Sequence, residues 1–216
     1  MSLCVIRRPV TRARQVAGNE RRRRRASARV GAAVLLAALA LSAGARADSI
    51  EEKAQVCAAC HGENGVPPQQ PFPVPVIWGQ ELGYLFFQLR DFRSGARKND
   101  QMSPIAQGLD PNDLMPLAQY FSSKTWPNLQ QPMPPAAVAA QAQRANASVV
   151  CTSCHQEGFK GAGTQPHLAG QERAYLQKTM TEFRSGVRGN NPGMTNLMKA
   201  ISDEDIAALA AYLAGL

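Results

Sequence analysis

Cysteine and histidine are nearly absent outside two short stretches. The 216 residues hold five cysteines and three histidines, and all but Cys4 and His167 lie in Cys57-Ala58-Ala59-Cys60-His61 and Cys151-Thr152-Ser153-Cys154-His155. A disulfide framework therefore has no thiols to draw on. The apolar stretch from Val30 to Ala43 is shorter than the roughly 20 residues a membrane-spanning helix needs.

An excess of basic charge is also missing once the N-terminal segment is set aside. Residues 1–47 read as an export leader: an Arg-rich start that includes Arg21 to Arg25, the apolar stretch, then Ala45-Arg46-Ala47, with cleavage expected after Ala47. That segment holds 11 of the 24 bases and one of the 16 acids, so the remainder carries 13 bases against 15 acids, a formal charge of −2. The apparent basicity belongs to the leader, and no nucleic-acid partner is implied. Cys4 leaves with it. The expected destination is an oxidising compartment reached by export.

What the chain does have is a doubled C-x-x-C-H. A single C-x-x-C suits a redox dithiol or half a zinc site, and two could build one Cys₄ zinc centre. Here both pairs carry a histidine directly after the second cysteine. That is the attachment signature of c-type haem, in which two thiols form thioethers and the histidine becomes the proximal iron ligand. Two covalently attached haem c groups are expected, held by Cys57, Cys60 and His61 and by Cys151, Cys154 and His155.

The flanking sequence repeats as well. Pro75-Val76-Ile77-Trp78-Gly79-Gln80 is echoed by Pro166-His167-Leu168-Ala169-Gly170-Gln171, and the Phe-Arg-Ser-Gly run from Phe92 to Gly95 by that from Phe183 to Gly186. The two halves are each the size of a small haem domain. Between them, Ser122 to Pro135 holds four prolines and no apolar periodicity, an extended linker. The reading is residues 1–47 leader, 48–123 first domain, 124–135 linker and 136–216 second domain.

The pattern is helical throughout. Ser49 and Glu52 form a capping box for a helix running into Cys57. A second helix follows Gly79, with Leu82, Leu85, Phe86 and Leu89 on one stripe, and stops at Ser94-Gly95. A third opens at Asp110-Pro111 with Leu114, Leu117, Ala118 and Phe121 inward, and Pro116 is expected to kink it. In the second half Ser202 caps a helix that buries Ile206, Leu209, Ala210 and Leu213, with Asp203, Glu204 and Asp205 at its positive end.

Methionine is the usual sixth ligand in electron-carrying cytochromes c. Met102 and Met194 occupy matching places in the loop after the second helix of each half, seven residues before Leu109 and Ile201. Met115 and Met198 compete, but Met115 is expected on the apolar side of a helix, and Met198 has Ala106 as its counterpart. Helical methionines more often fill a core.

These residues resemble the dihaem cytochrome c4 family, over the whole chain beyond the leader. The carriers are the paired C-x-x-C-H motifs, the Gly79-Gln80 and Gly170-Gln171 steps, the two Phe-Arg-Ser-Gly segments and the two methionines. The resemblance implies an all-α protein of two tandem class I cytochrome c domains joined by a Pro-rich linker. It implies a periplasmic, non-enzymatic electron carrier with two His/Met haems, with Met102 and Met194 as the second ligands and the carbonyls of Pro75 and Pro166 supporting the proximal imidazoles. Donors would be a quinol-oxidising complex or dehydrogenase, and acceptors a terminal oxidase or reductase. Peripheral membrane association stays open. A dihaem subunit of a dehydrogenase or oxidase, and a haem peroxidase with one open iron, are the alternatives.

Other conspicuous residues read more plainly. His167, whose counterpart is Val76, is expected to hold a surface or structural role rather than to serve as an alternative ligand or proton-coupled group. Trp78 should pack on haem and Trp126 anchor the linker. Arg93, Arg97, Arg184 and Arg188 either compensate haem propionates or sit on solvated helix ends.

Overall fold

The computed structural model describes residues 48–216; residues 1–47, read above as an export leader, lie outside the described residues. Among these there are helices and no strands, apart from one isolated bridge between Ala162 and Gln165.

Helix α1 (Ile50–His61) begins at the expected capping box: Ser49 Oγ accepts from Glu52 N at 3.2 Å, and Ser49 N donates to the Glu52 carboxylate at 2.7 Å. Helix α2 (Leu82–Ser94) ends at Gly95, whose φ of 79° lies in the left-handed region. Helix α3 (Met102–Gly108) follows, then a 3₁₀ turn (Pro111–Asp113) and α4 (Leu114–Ser122). The second half repeats the plan with α5 (Ala136–Val149), α6 (Thr152–His155), α7 (Arg173–Ser185), α8 (Pro192–Met198) and α9 (Asp203–Ala214).

Two cores result. Ala54, Leu85, Leu117, Ala118 and Phe121 join α1, α2 and α4. Leu176, Met180, Phe183, Ile206, Leu209 and Leu213 join α7 and α9, and α5 closes against them through Ala142 and Ala145. Burying only methyl groups on α5, against an α9 that also buries Ala208, Ala210 and Ala214, lets the two backbones approach closely.

Four expectations need correction. Leu82 is 39% exposed and leaves the α2 stripe to Leu85 and Phe92. Met115 is 44% exposed and faces away from the core. Pro116 does not kink a continuous helix: its ring would meet the carbonyl of Asn112, four residues back, and Asn112 lies in the 3₁₀ turn that precedes α4. Met102 and Met194 lie on the short helices α3 and α8, not in loops.

The linker is strapped down rather than free. Trp126 stacks on His167 at 4.0 Å between ring centroids. Gln131 donates to the carbonyls of Gln171 (2.8 Å) and Ala214 (3.3 Å) and accepts from Arg173 N (3.0 Å).

Candidate functional site

In the first half one unbroken helix carries the whole motif: Cys57, Cys60 and His61 are the last turns of α1. The second half departs from this. Val150 takes φ 51° and ends α5, and Cys151 is the N-cap of the separate short α6, which holds Cys154 and His155. Both routes bury the imidazole, His61 to 6% exposure and His155 to 5%.

Each imidazole has one fixed partner. His61 Nδ1 lies 2.8 Å from the carbonyl oxygen of Pro75, and His155 Nδ1 lies 3.0 Å from that of Pro166. A carbonyl only accepts, so Nδ1 carries the proton and donates it, and the lone pair sits on Nε2. Burial pushes both histidines below their ordinary pKa, against the opposing pull of the carbonyl bond. A neutral imidazole with a free Nε2 is what a metal ligand requires.

Burial raises the Cys57 and Cys151 thiols, which keeps them protonated rather than thiolate. Among the described residues no three His, Cys, Asp or Glu side chains converge on one point, so the two C-x-x-C pairs do not build a Cys₄ centre.

A single cavity of about 720 Å³ runs past both motifs, and its walls include Cys57, Cys60, His61 and Met102 from one half and Cys151, Cys154, His155 and Met194 from the other. The two methionines are placed by one device. Asn99 Oδ1 accepts from Met102 N at 2.9 Å, and Asn191 Oδ1 from Met194 N at 3.1 Å, each asparagine three residues upstream. Met198 also reaches the cavity wall but is packed into the second core, and Met115 does not reach it.

The cavity is also lined by two buried cations. Arg97 and Arg188, 7% and 4% exposed, stack on Phe92 and Phe183 at 4.5 and 4.3 Å. Arg97 donates to Tyr175 in the other half (3.2 Å) and to Gln88 in its own (2.8 Å), and Arg188 donates across to Tyr84 (3.3 Å) and Gln88 (2.9 Å). Neither pairs with a carboxylate among the described residues, and Arg188 Nη1 is buried without a partner. Burial raises the Tyr175 phenol, but the two guanidiniums outweigh it and hold the group down at about 7. Two buried guanidiniums that form no ion pair with a carboxylate are costly unless an acidic group enters the cavity. Haem propionates have that chemistry, so the residues present fit the group. Arg184 instead pairs with Asp203 at the surface, and Arg93 does not line the cavity.

Trp78 packs on the first core and against Gly65, with its Nε1 buried and unpartnered. His167 is structural: it stacks on Trp126, and burial, aided by Lys160, lowers it to about 4. Sequence reasoning noticed Gln80 and Gln171 only as repeated residues. Both are 3% exposed, and both bind backbone in the opposite half. Their repetition was the available signal, but nothing local names their partners.

An all-helical frame that presents two carbonyl-anchored imidazoles, each beside its own C-x-x-C pair, defines the class of dihaem c-type cytochromes. Comparison with known proteins narrows it. Residues 139–216 match the family model for cytochrome c. The chain is 36% identical to cytochrome c4 of Pseudomonas aeruginosa over 194 residues, covering 84% of this chain and 93% of that one. It is 32% identical to a thiosulfate dehydrogenase electron acceptor of Thiomonas intermedia over 196 residues, covering 86% and 90%. The crystal structure of reduced cytochrome c4 from Pseudomonas stutzeri superposes with a TM-score of 0.68 at 31% identity, covering 79% of this chain and 100% of that one. The chain belongs to the cytochrome c4 family. It is a dihaem electron carrier with two covalently attached haem c groups.

Proposed function

We propose that this protein is a periplasmic carrier whose two irons are both closed by a histidine and a methionine. The carrying observation is that each half brings a C-x-x-C pair, a buried imidazole with its Nδ1 proton committed to a proline carbonyl, and an asparagine-positioned methionine to the same cavity. Cys57 and Cys60 anchor the first haem and Cys151 and Cys154 the second. His61 and His155 offer Nε2, Met102 and Met194 offer sulfur, and Arg97 and Arg188 balance the propionates. Haem, once bound, supplies a one-electron ferric/ferrous couple whose potential the protein sets through ligands, hydrogen bonds and burial. The chain's own work is to hold the ligands, keep water from the cavity and set local charge. With a histidine and a methionine holding each iron, no position would be left for a substrate, and the protein would act as carrier rather than enzyme.

The chain is organised as a leader (1–47), a first haem domain (48–123), a linker (124–135) and a second haem domain (136–216). Among the described residues no helix is long and apolar enough to cross a membrane. The donor is a quinol-oxidising complex or a dehydrogenase, and relatives named as thiosulfate dehydrogenase electron acceptors support the dehydrogenase. A terminal oxidase or reductase receives the electrons.

Intact mass of the exported protein tests the assignment. A chain starting at Asp48 with two haem increments is expected, falling to one increment in Cys57→Ala/Cys60→Ala and likewise in Cys151→Ala/Cys154→Ala. Two increments retained in either double variant would refute it.

A further inference from the structure

The peptide group joining Pro75 to Val76 is bonded at both ends. Its carbonyl accepts from His61 Nδ1 at 2.8 Å, and its N–H donates to Oε1 of Gln171, in the other half, at 2.7 Å. The repeat reproduces this: the Pro166–His167 peptide accepts from His155 Nδ1 at 3.0 Å and donates to Gln80 Oε1 at 2.7 Å. Each glutamine closes the pair by donating Nε2 to the carbonyl of the same partner residue, Val76 or His167, at 2.9 Å. Backbone N–H only donates and carbonyl only accepts, so these reciprocal bonds fix which end of each amide is oxygen. Neither glutamine can slip, because both are buried and Oε1 also accepts from the next backbone N–H, Glu172 or Glu81, at 2.9 Å.

Hydrogen bonds in series through one amide polarise each other, most in a buried setting. An acceptor on the N–H makes the carbonyl a stronger acceptor, which draws the Nδ1 proton and makes the imidazole a stronger donor at Nε2. A more basic proximal ligand favours the ferric state.

We infer that each glutamine is a positioning and tuning residue for the haem ligand of the opposite half: Gln171 for His61 and Gln80 for His155. This rests on the reading that the two histidines are iron ligands. It makes each site's potential depend on the closed interface between the halves, with no direct contact between the glutamine and the imidazole it tunes.

The test is a redox titration of the haem-loaded full-length protein read site by site, from assigned haem-methyl proton signals, with the Nδ1 proton shifts of His61 and His155 as a second readout. Gln171→Leu removes the acceptor and should raise the midpoint of the His61 site by about twofold in the ferrous-to-ferric ratio at fixed potential, about 18 mV at 59 mV per decade. The His155 site should hold still. Gln171→Glu keeps an oxygen against the Val76 N–H and should leave the His61 midpoint at or below its native value, also moving that site alone if any. Gln80→Leu and Gln80→Glu should give the mirrored result. Both sites moving together, the site in the glutamine's own half moving, or neither moving would overturn the inference. Absence of haem-shifted ring-proton signals for His61 or His155 in the unsubstituted protein would instead refute the histidine-ligand reading, so the two failures are distinguishable.

Discussion

Gly79 and Gly170 are repeat equivalents that precede the two interface glutamines, and alanine at each should separate two kinds of cost. Both take left-handed backbone, φ 66° and 70°, which costs a residue with a Cβ about 1–2 kcal/mol. Their surroundings differ. A Cβ on Gly79 would lie 2.7 Å from Trp126 N and 2.9 Å from Lys124 O, both backbone atoms of the strapped linker. A Cβ on Gly170 would meet only the Trp126 side chain, at 3.3 Å. The linker backbone can yield only by giving up its packing, so overpacking adds about 1–3 kcal/mol at Gly79 and little at Gly170. Gly170→Ala should therefore cost about 1–2 kcal/mol and Gly79→Ala about 2–5 kcal/mol. Thermal unfolding of the haem-loaded protein followed by far-ultraviolet circular dichroism should place Gly79→Ala below Gly170→Ala by about 2–4 °C for each kcal/mol of difference. Equal losses, or a larger loss at Gly170, would refute the reasoning that a fixed linker backbone presses on the first half.

Leu117→Ala, at a side chain 1% exposed in the first core, should cost about 2–5 kcal/mol, whereas Met115→Ala, two residues away and 44% exposed, should stay within about 0.5 kcal/mol; denaturant midpoints decide. His167 binds its proton more weakly folded, at about 4, than unfolded, at 6.5, so the stability its neutral ring contributes is fully present above pH 6.5 and lost as pH falls towards 4. His167→Phe, which keeps an aromatic ring against Trp126, should flatten stability over that window, and an unchanged pH profile would count against the assignment. Arg188→Leu removes one of two buried cations lining the cavity and should lower the potential, since a nearby positive charge favours the ferrous state; voltammetry showing no shift or a rise would contradict this.

Local chemistry was legible in the sequence, and relations between distant residues were not. The capping box at Ser49, the Ser202 cap and the left-handed glycines at 95 and 186 each declare themselves within a few residues, and the structure has all four. Helices α3 and α8 escaped because seven residues show too little apolar periodicity and their asparagine-positioned starts resemble turns. Met115 was placed on the wrong face because its apolar side chain suggested burial, although it stands about 100° round the helix from Leu114 and off the stripe of Leu114, Leu117, Ala118 and Phe121 that the core takes. The doubled sequence marked Gln80 and Gln171, yet their partners lie 87 and 95 residues away, and no periodicity carries such a pairing. The same holds for Arg97 and Arg188, whose solvated-end alternative failed because the opposite half covers them.

The most direct test of two closed irons is the optical spectrum of the exported, haem-loaded protein, ferric and ferrous, with carbon monoxide added to the reduced form. The weak far-red ferric band of methionine ligation, with no response to carbon monoxide, is the result expected if Met102 and Met194 close both sites. A carbon monoxide shift on about half of the haem would contradict it, showing one open iron and directing attention to peroxide turnover.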